Sequence, residues 1–151
     1  KPEPRVVLPD VRYNSMPVSF LIHRIMKRGK KSVATRIMYN ALDIIKEKTG
    51  KNPIEVLETA LKNVGPQMEV RPRRVGGATY QVPMEVPSSR KMTLAMRWIL
   101  DSATGRTGNS YAEKLSAELI EASNNQGAAV RKREETHKMA EANRAFSHFR
   151  M

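Results

Sequence analysis

Apolar residues recur every three or four positions along most of this chain, which is the spacing of one face of an α-helix. Six segments carry that spacing, and most are bounded by glycine or proline: residues 17–28, 32–49, 53–64, 88–104, 110–126 and 128–151. Several also begin with a residue suited to cap a helix, namely Ser32, Asn52 followed by Pro53, Ser88 or Ser89, and Ser110 with Glu113 three positions later. In the last segment the predicted apolar stripe includes Val130, Met139, Ala142, Phe146 and Phe149.

The period falls to two residues between positions 68 and 86, where Tyr80, Val82 and Met84 alternate with other side chains. Such alternation is typical of strands, and the Gly76-Gly77 pair between the two halves predicts a hairpin turn. Each half contains a proline, which indicates edge strands. Because a lone two-stranded hairpin is marginally stable in water, we expect its base to be supported by a helix or by a bound partner.

These patterns predict a mainly α protein, a bundle of about six helices with one protruding two-stranded β-hairpin at 68–86. Residues 1–151 are expected to form a single domain. Within it, residues 1–16 form an irregular basic arm and residues 128–151 the C-terminal helix. Because the sequence starts at Lys1, we expect further residues to precede it.

The charge is strongly positive, with 27 Lys and Arg against 15 Asp and Glu, a net charge of +12 and a pI near 10.3. The excess lies in three separate segments, residues 1–40, 67–97 and 127–151, with nearly balanced stretches between them. Nucleic acid, an anionic membrane and an acidic protein are the partner classes that such a charge favours. No apolar run approaches the roughly 18–20 residues of a membrane-spanning helix, and no signal peptide is visible, so a membrane is the weakest of these.

Catalytic and metal-binding patterns are missing from the sequence. The chain contains no cysteine, and His23, His137 and His148 do not have the spacing of a metalloprotease helix. The sequence also contains neither a phosphate-binding loop nor a nucleophile elbow. We therefore expect no enzyme activity, no metal site and no cofactor. The lack of cysteine is compatible with a reducing compartment.

Nucleic acid is the better-supported partner, because arginine and lysine bind phosphates and no aromatic platform for reading single bases is evident. Charge alone leaves three hypotheses open. The first is an RNA-binding assembly protein, the second a helical DNA-binding protein that uses the hairpin as an arm, and the third an RNA-modifying enzyme.

Three motifs distinguish among these hypotheses: RRVGGATYQVP at 73–83, LAMRWIL at 94–100 and GAAVRKREETHKMAEANRAFSHF at 127–149. From about Arg12 to the C-terminus the chain resembles the small-subunit ribosomal protein seven family, of the bacterial or organellar type. The resemblance implies a six-helix core with a β-hairpin, no enzyme activity, and a location in the small ribosomal subunit, cytoplasmic or organellar.

The resemblance also implies partners. Members of the family bind the 3′ major domain of small-subunit rRNA, nucleate folding of the subunit head, and lie near the exit site beside tRNA, mRNA and neighbouring proteins of the head and platform. The rRNA surface would comprise Arg5, Arg12, Lys27, Arg28, Lys30, Lys31, Arg36, Arg73, Arg74, Arg90, Lys91, Arg97, Arg131, Lys132 and Arg133. The residues near tRNA and mRNA would be Gly76, Gly77, Arg144, His148 and Arg150.

Overall fold

The structure is a computed structural model that describes the backbone of residues 7–150 and the side chains of residues 7–144. It contains the elements α1 (Met16–Ile25), α2 (Lys31–Thr49), α3 (Pro53–Val64), β1 (Met68–Val75), β2 (Ala78–Glu85), α4 (Ser88–Thr104), α5 (Tyr111–Ser123) and α6 (Ala128–Arg150). The predicted class, six helices and one two-stranded hairpin, is confirmed for the described part of the chain.

The core is formed by the apolar stripes that the helical periodicity predicts. Leu21 of α1, Leu42 of α2, Leu57 of α3, Ile99 of α4 and Leu119 of α5 are all inaccessible to solvent. All belong to one cluster, which Ala129 and Val130 join from the first turn of α6. Burial of such side chains is the dominant favourable term in folding, so the helical bundle is the rigid body that positions the hairpin and the turns.

Helix α6 departs from its predicted stripe. Met139 is 60% exposed and Ala142 is also exposed, whereas Ala140 is buried. The face turned toward the hairpin instead carries His137 and Ala140, one helical turn apart. A face that mixes polar and small residues gives a weak hydrophobic periodicity, which explains why the prediction is wrong at Met139 and Ala142, whereas Val130 is buried as predicted. The predicted Phe146 and Phe149 lie outside the described side chains.

Two of the predicted helix caps are correct. Asn52 Oδ1 accepts a hydrogen bond from the Ile54 N–H at 2.9 Å, and Ser110 Oγ accepts one from the Glu113 N–H at 3.2 Å. The prediction missed Ser15, which caps α1 through a longer bond of 3.4 Å from the Val18 N–H.

The caps predicted at Ser32 and at Ser88 or Ser89 are wrong. Helix α2 already begins at Lys31, so Ser32 lies inside its first turn. The residue before α4 is Pro87, since strand pairing continues to Val86, whose N–H donates to the Gln67 carbonyl at 2.9 Å. The chain therefore passes from the ladder directly into the helix, with no residue left to act as a side-chain cap.

The hairpin is antiparallel, with Arg73 opposite Tyr80 and Val75 opposite Ala78. Gly76 and Gly77 have φ of +58° and +85°, and positive φ at both central residues is the type I′ geometry that matches the twist of two-residue hairpins. Residues 71–79 are exposed, and both strands contact α6 at the base. A helix thus supports the hairpin, which was one of the two supports expected.

Candidate nucleic-acid interface

The turn between α1 and α2 concentrates cations. Helix α1 ends at Ile25, and the chain reverses through Arg28 and Gly29, which have φ of +55° and +72°. This turn and the neighbouring helix surfaces carry seven exposed cations, which we call the basic corner: Arg24, Lys27, Arg28, Lys30, Lys31, Arg36 and, on α4, Arg97.

Within the described residues, no cation of the basic corner lies within ion-pair distance of a carboxylate. The first turn of α2 adds positive potential, because a helix N-terminus has unpaired N–H groups and Lys30 provides no side-chain cap. Solvated, uncompensated cations beside a helix N-terminus attract phosphate groups. The corner brings together five of the predicted rRNA-binding residues of this region with Arg97, and it adds Arg24, which the sequence reasoning missed.

Arg12 has a different environment. Its guanidinium contacts the Asp43 carboxylate, with Nη2 to Oδ1 at 2.5 Å, and lies 5.1 Å and 5.3 Å from the ring centroids of Tyr13 and Tyr39. The Asp10 carboxylate accepts bonds from the N–H groups of Tyr13 and Ser15, at 2.7 Å each, and from the Tyr39 hydroxyl at 3.0 Å. The described end of the predicted arm is therefore fixed to α2. Arg5 lies outside the described residues.

The hairpin carries Arg73 and Arg74 on its exposed outer half, next to Gly76 and Gly77 at the tip. In the described structure neither arginine has a carboxylate within ion-pair distance. Both guanidiniums are therefore available to a partner that approaches the hairpin.

At the hairpin base, Arg90 is bound to Glu69. Its Nε and Nη2 donate to the two carboxylate oxygens at 2.6 Å and 2.9 Å, and Glu69 is only 8% exposed. The hydrogen bonds from Arg90 hold the pKa of Glu69 below its usual value, outweighing the opposing effect of burial. Lys91, next in sequence, packs its side-chain carbons against Gly65, where a Cβ would lie 2.7 Å from Lys91 Cγ.

His137 also belongs to the hairpin base. Its Nε2 accepts a hydrogen bond from the Gln67 N–H at 3.0 Å, just before β1 begins. Burial, with smaller contributions from Arg133 and Lys91, lowers the pKa of His137, which favours the neutral imidazole that this bond requires. His137 therefore forms a contact between α6 and the chain entering the hairpin.

The basic residues of helix α6 lie in different environments. Arg131 and Lys132 are exposed, whereas Arg133 points inward, with Nη1 donating to the Asn63 carbonyl at 2.5 Å and to Asn125 Oδ1 at 3.2 Å. Arg144 is exposed and lies 3.9 Å from the Glu141 carboxylate. The side chains of His148 and Arg150 lie outside the described residues.

Comparison with known proteins finds one matching family model and similar proteins in three organisms. The family described as ribosomal protein S7p/S5e matches residues 1–144. Proteins named small ribosomal subunit protein uS7 are similar over nearly the whole chain. The protein of Thermoanaerobacter sp. strain X514 is 60% identical, over 98% of this chain and 95% of the relative. The proteins of Prochlorococcus marinus strain NATL1A and Thermomicrobium roseum are 57% and 53% identical, over 98% and 99% of this chain and 95% and 96% of the relative. The chain belongs to the ribosomal protein S7p/S5e family.

Membership confirms the resemblance and the coarse function. The chain is a structural protein of the small ribosomal subunit, in the cytoplasm of bacteria, and acts in translation rather than as an enzyme. In the described part of the chain, no group of acidic and histidine side chains is arranged to hold a metal, and no helix has the length and apolarity to cross a membrane.

One partly buried cluster of this S7p/S5e chain could not be predicted from the sequence. Arg106 donates to Glu118, with Nε to Oε1 at 3.1 Å, and also to Glu121. Glu118 is inaccessible to solvent and accepts a longer bond, 3.4 Å, from the Ala129 N–H at the start of α6. The sequence offered only a weak signal, a lone arginine in a glycine-rich loop between two helices.

Proposed function

We propose that this S7p/S5e chain binds the 3′ major domain of small-subunit rRNA and nucleates folding of the subunit head. One observation supports this proposal above the others. Seven exposed cations converge at the basic corner without a carboxylate partner among the described residues. Phosphate contacts dominate the affinity of proteins for nucleic acid, and each needs a cation that is not already neutralised.

Of the predicted rRNA-binding residues, those of the corner and Arg73, Arg74, Arg131 and Lys132 form the primary surface in this proposal. Arg12, Arg90 and Arg133 are in contact with protein oxygens, and Lys91 packs on Gly65. An arginine has five N–H donors and a lysine has three, so these four residues can still donate to phosphate and remain secondary contacts in the proposal.

We also propose that the hairpin tip and the end of α6 approach exit-site tRNA and mRNA. The tip, Gly76-Gly77, projects beyond the helical body, and Arg144 is exposed near the end of the described side chains. Glycine lets a backbone approach a ligand closely, since no Cβ intervenes. Under this proposal, His148 and Arg150 act beside Arg144, and proteins of the head and platform are the neighbours.

The proposal is tested by measuring the affinity of the purified chain for a transcript of the 3′ major domain against a random RNA duplex of equal length. We expect clear preference for the folded domain at physiological salt. If about six to ten phosphates are contacted, affinity should fall about 10³- to 10⁵-fold between 50 and 200 mM salt. Equal affinity for the duplex would contradict the specific proposal, and preference for duplex DNA would favour the architectural DNA-binding alternative.

A further inference from the structure

Beside the basic corner lies a groove of about 650 Å³ between the end of α1, the start of α2, α4 and the first residue of α5. Its floor is apolar and is formed by Ile25, Val33, Ala34, Ile37 and Leu100, with Tyr111 at one end. Val33 is 41% exposed. The volume lies within the range of pockets that bind small organic groups, roughly 300–1,000 Å³.

The rim of this groove is positively charged. Arg24, Lys27 and Lys30 lie on the α1–α2 side and Arg97 on the α4 side, while Asp101 is the carboxylate among the lining residues. Because Asp101 repels phosphate, an anionic ligand would place its charge toward Lys27 and Lys30 and its apolar part toward Leu100. The arrangement therefore suits a ligand that is anionic at one end and flat and weakly polar at the other.

We propose that this groove holds one unpaired rRNA nucleotide, with its base on the apolar floor and its flanking phosphates on the rim. This inference rests on the proposed rRNA binding and adds a site to it. A base within a duplex hides its faces in the stack, whereas unpaired bases are splayed out and packed against protein side chains. Continuity with the basic corner and the four rim cations favour a nucleotide over an acidic peptide segment.

The Tyr111 hydroxyl is already engaged, because it donates to the Leu100 carbonyl at 2.9 Å. This bond fixes the tyrosine at the end of the groove, and burial raises its pKa. Tyr111 is therefore a preformed wall of the site. Packing of one base on such a surface typically accounts for about fivefold or more in affinity.

The test uses the full chain, the 3′ major-domain transcript and the variant Val33→Trp, which fills the groove without changing its charge. Val33 lies in the first turn of α2 and is partly exposed, so the helix accepts the larger side chain. We expect affinity to fall about fivefold or more, with an unchanged slope of log affinity against log salt, because the variant keeps all four rim cations and they can still contact the flanking phosphates. The control is Met139→Trp on α6, an exposed apolar position that does not line the groove. Its affinity should match the wild type.

A second readout is the reactivity of each ribose 2′-hydroxyl toward acylation in the complex. One unpaired nucleotide should be protected by the wild-type chain and reactive with Val33→Trp. The inference is overturned by unchanged affinity, by an equal loss in Met139→Trp, by a changed salt slope or by the absence of such a nucleotide. It is equally overturned if Val33→Trp binds the transcript normally but fails to join the assembled subunit, which would make a protein segment the occupant. None of these outcomes changes the preference of the wild-type chain for rRNA. The groove proposal can therefore fail while the proposed rRNA binding stands.

Discussion

The basic corner and the hairpin base both contain cations, but the cations have different environments in the two places. In the corner, Lys30 and Lys31 are exposed, and the described structure places no carboxylate within ion-pair distance. At the hairpin base, Arg90 makes two hydrogen bonds to Glu69, and elsewhere on the helical body Arg133 of α6 binds the Asn63 carbonyl of α3. A count of positive charges therefore does not distinguish the basic corner, whose cations are available to a polyanion, from arginines that stabilise the fold.

The difference has a physical origin. Arginine has a planar fork that satisfies carboxylate and carbonyl oxygens in fixed geometry, whereas lysine is a mobile point charge. The arginines with well-defined protein partners, which we call the held arginines, are Arg12, Arg90, Arg106 and Arg133. Four of the seven corner cations are arginines too, so residue type alone does not decide the role, and the position of a nearby oxygen does.

The largest expected effect is on stability, and it distinguishes the held arginine Arg106 from the cations of the basic corner. Arg106→Met removes one positive charge and leaves Glu118, which is inaccessible to solvent, without its partner. Breaking such a buried pair costs about 3 kcal/mol of unfolding free energy, measured by urea denaturation. The matched variant Lys30→Met removes the same charge and should leave that free energy within about 0.5 kcal/mol. Equal stability of the two variants would show that the Arg106 cluster does not stabilise the α5–α6 junction.

Reversing charge at the corner should have the next largest effect. Lys30→Glu with Lys31→Glu is expected to lower affinity for the 3′ major-domain transcript by about 10²-fold, because two charge-assisted contacts are lost. The salt slope should fall by about 0.7 to 0.9 for each phosphate contact removed. The control is Lys46→Glu with Lys48→Glu, which makes the same change of charge in exposed residues at the other end of α2. If both double variants lose affinity equally, the binding is general attraction and the corner is not a site.

The sequence predicts the described architecture well because most of its local signals agree with the packing. Leu42 and Ile45 recur at helical spacing in α2 and are inaccessible to solvent, and the Gly76-Gly77 pair adopts the positive φ that a two-residue hairpin needs. Prediction from the sequence fails where a contact joins distant positions. No local pattern reveals that Arg106 reaches Glu118 or that His137 accepts a bond from Gln67, since tertiary packing alone brings these pairs together.

The candidate site divides in the same way. Clustering in sequence identified Lys27, Arg28, Lys30 and Lys31, because one short turn presents them all. Arg24 was overlooked although it lies in the last turn of α1, immediately before this turn. The groove floor combines α1, α2, α4 and α5, so its existence depends on how those helices pack and could not be read from any one of them.

A smaller effect concerns the Arg90–Glu69 pair and its pH dependence. Hydrogen bonds from Arg90 lower the pKa of Glu69 in the folded chain, so the pair contributes stability above the ordinary glutamate pKa of about 4.5. That contribution is lost as pH falls through the lowered folded value. Arg90→Gln should reduce the unfolding free energy at pH 7, because Glu69 loses the two hydrogen bonds from Arg90, and the reduction should be small because the arginine is partly exposed. The difference from wild type should shrink as pH falls below the ordinary glutamate pKa of about 4.5, and a difference independent of pH would contradict this role.

The smallest expected effect on stability and rRNA affinity concerns the hairpin tip. Shortening the chain across Val75–Tyr80 removes mostly exposed residues and leaves the base, where both strands contact α6, in place. Because the buried core is helical, unfolding free energy and affinity for the 3′ major domain should stay close to the wild-type values. Subunits assembled with this variant should instead change retention of exit-site tRNA or maintenance of the reading frame, measured in a reconstituted translation assay. Normal exit-site behaviour together with failed head assembly would contradict this prediction. The tip would then be a structural part of the rRNA contact and not a contact with tRNA.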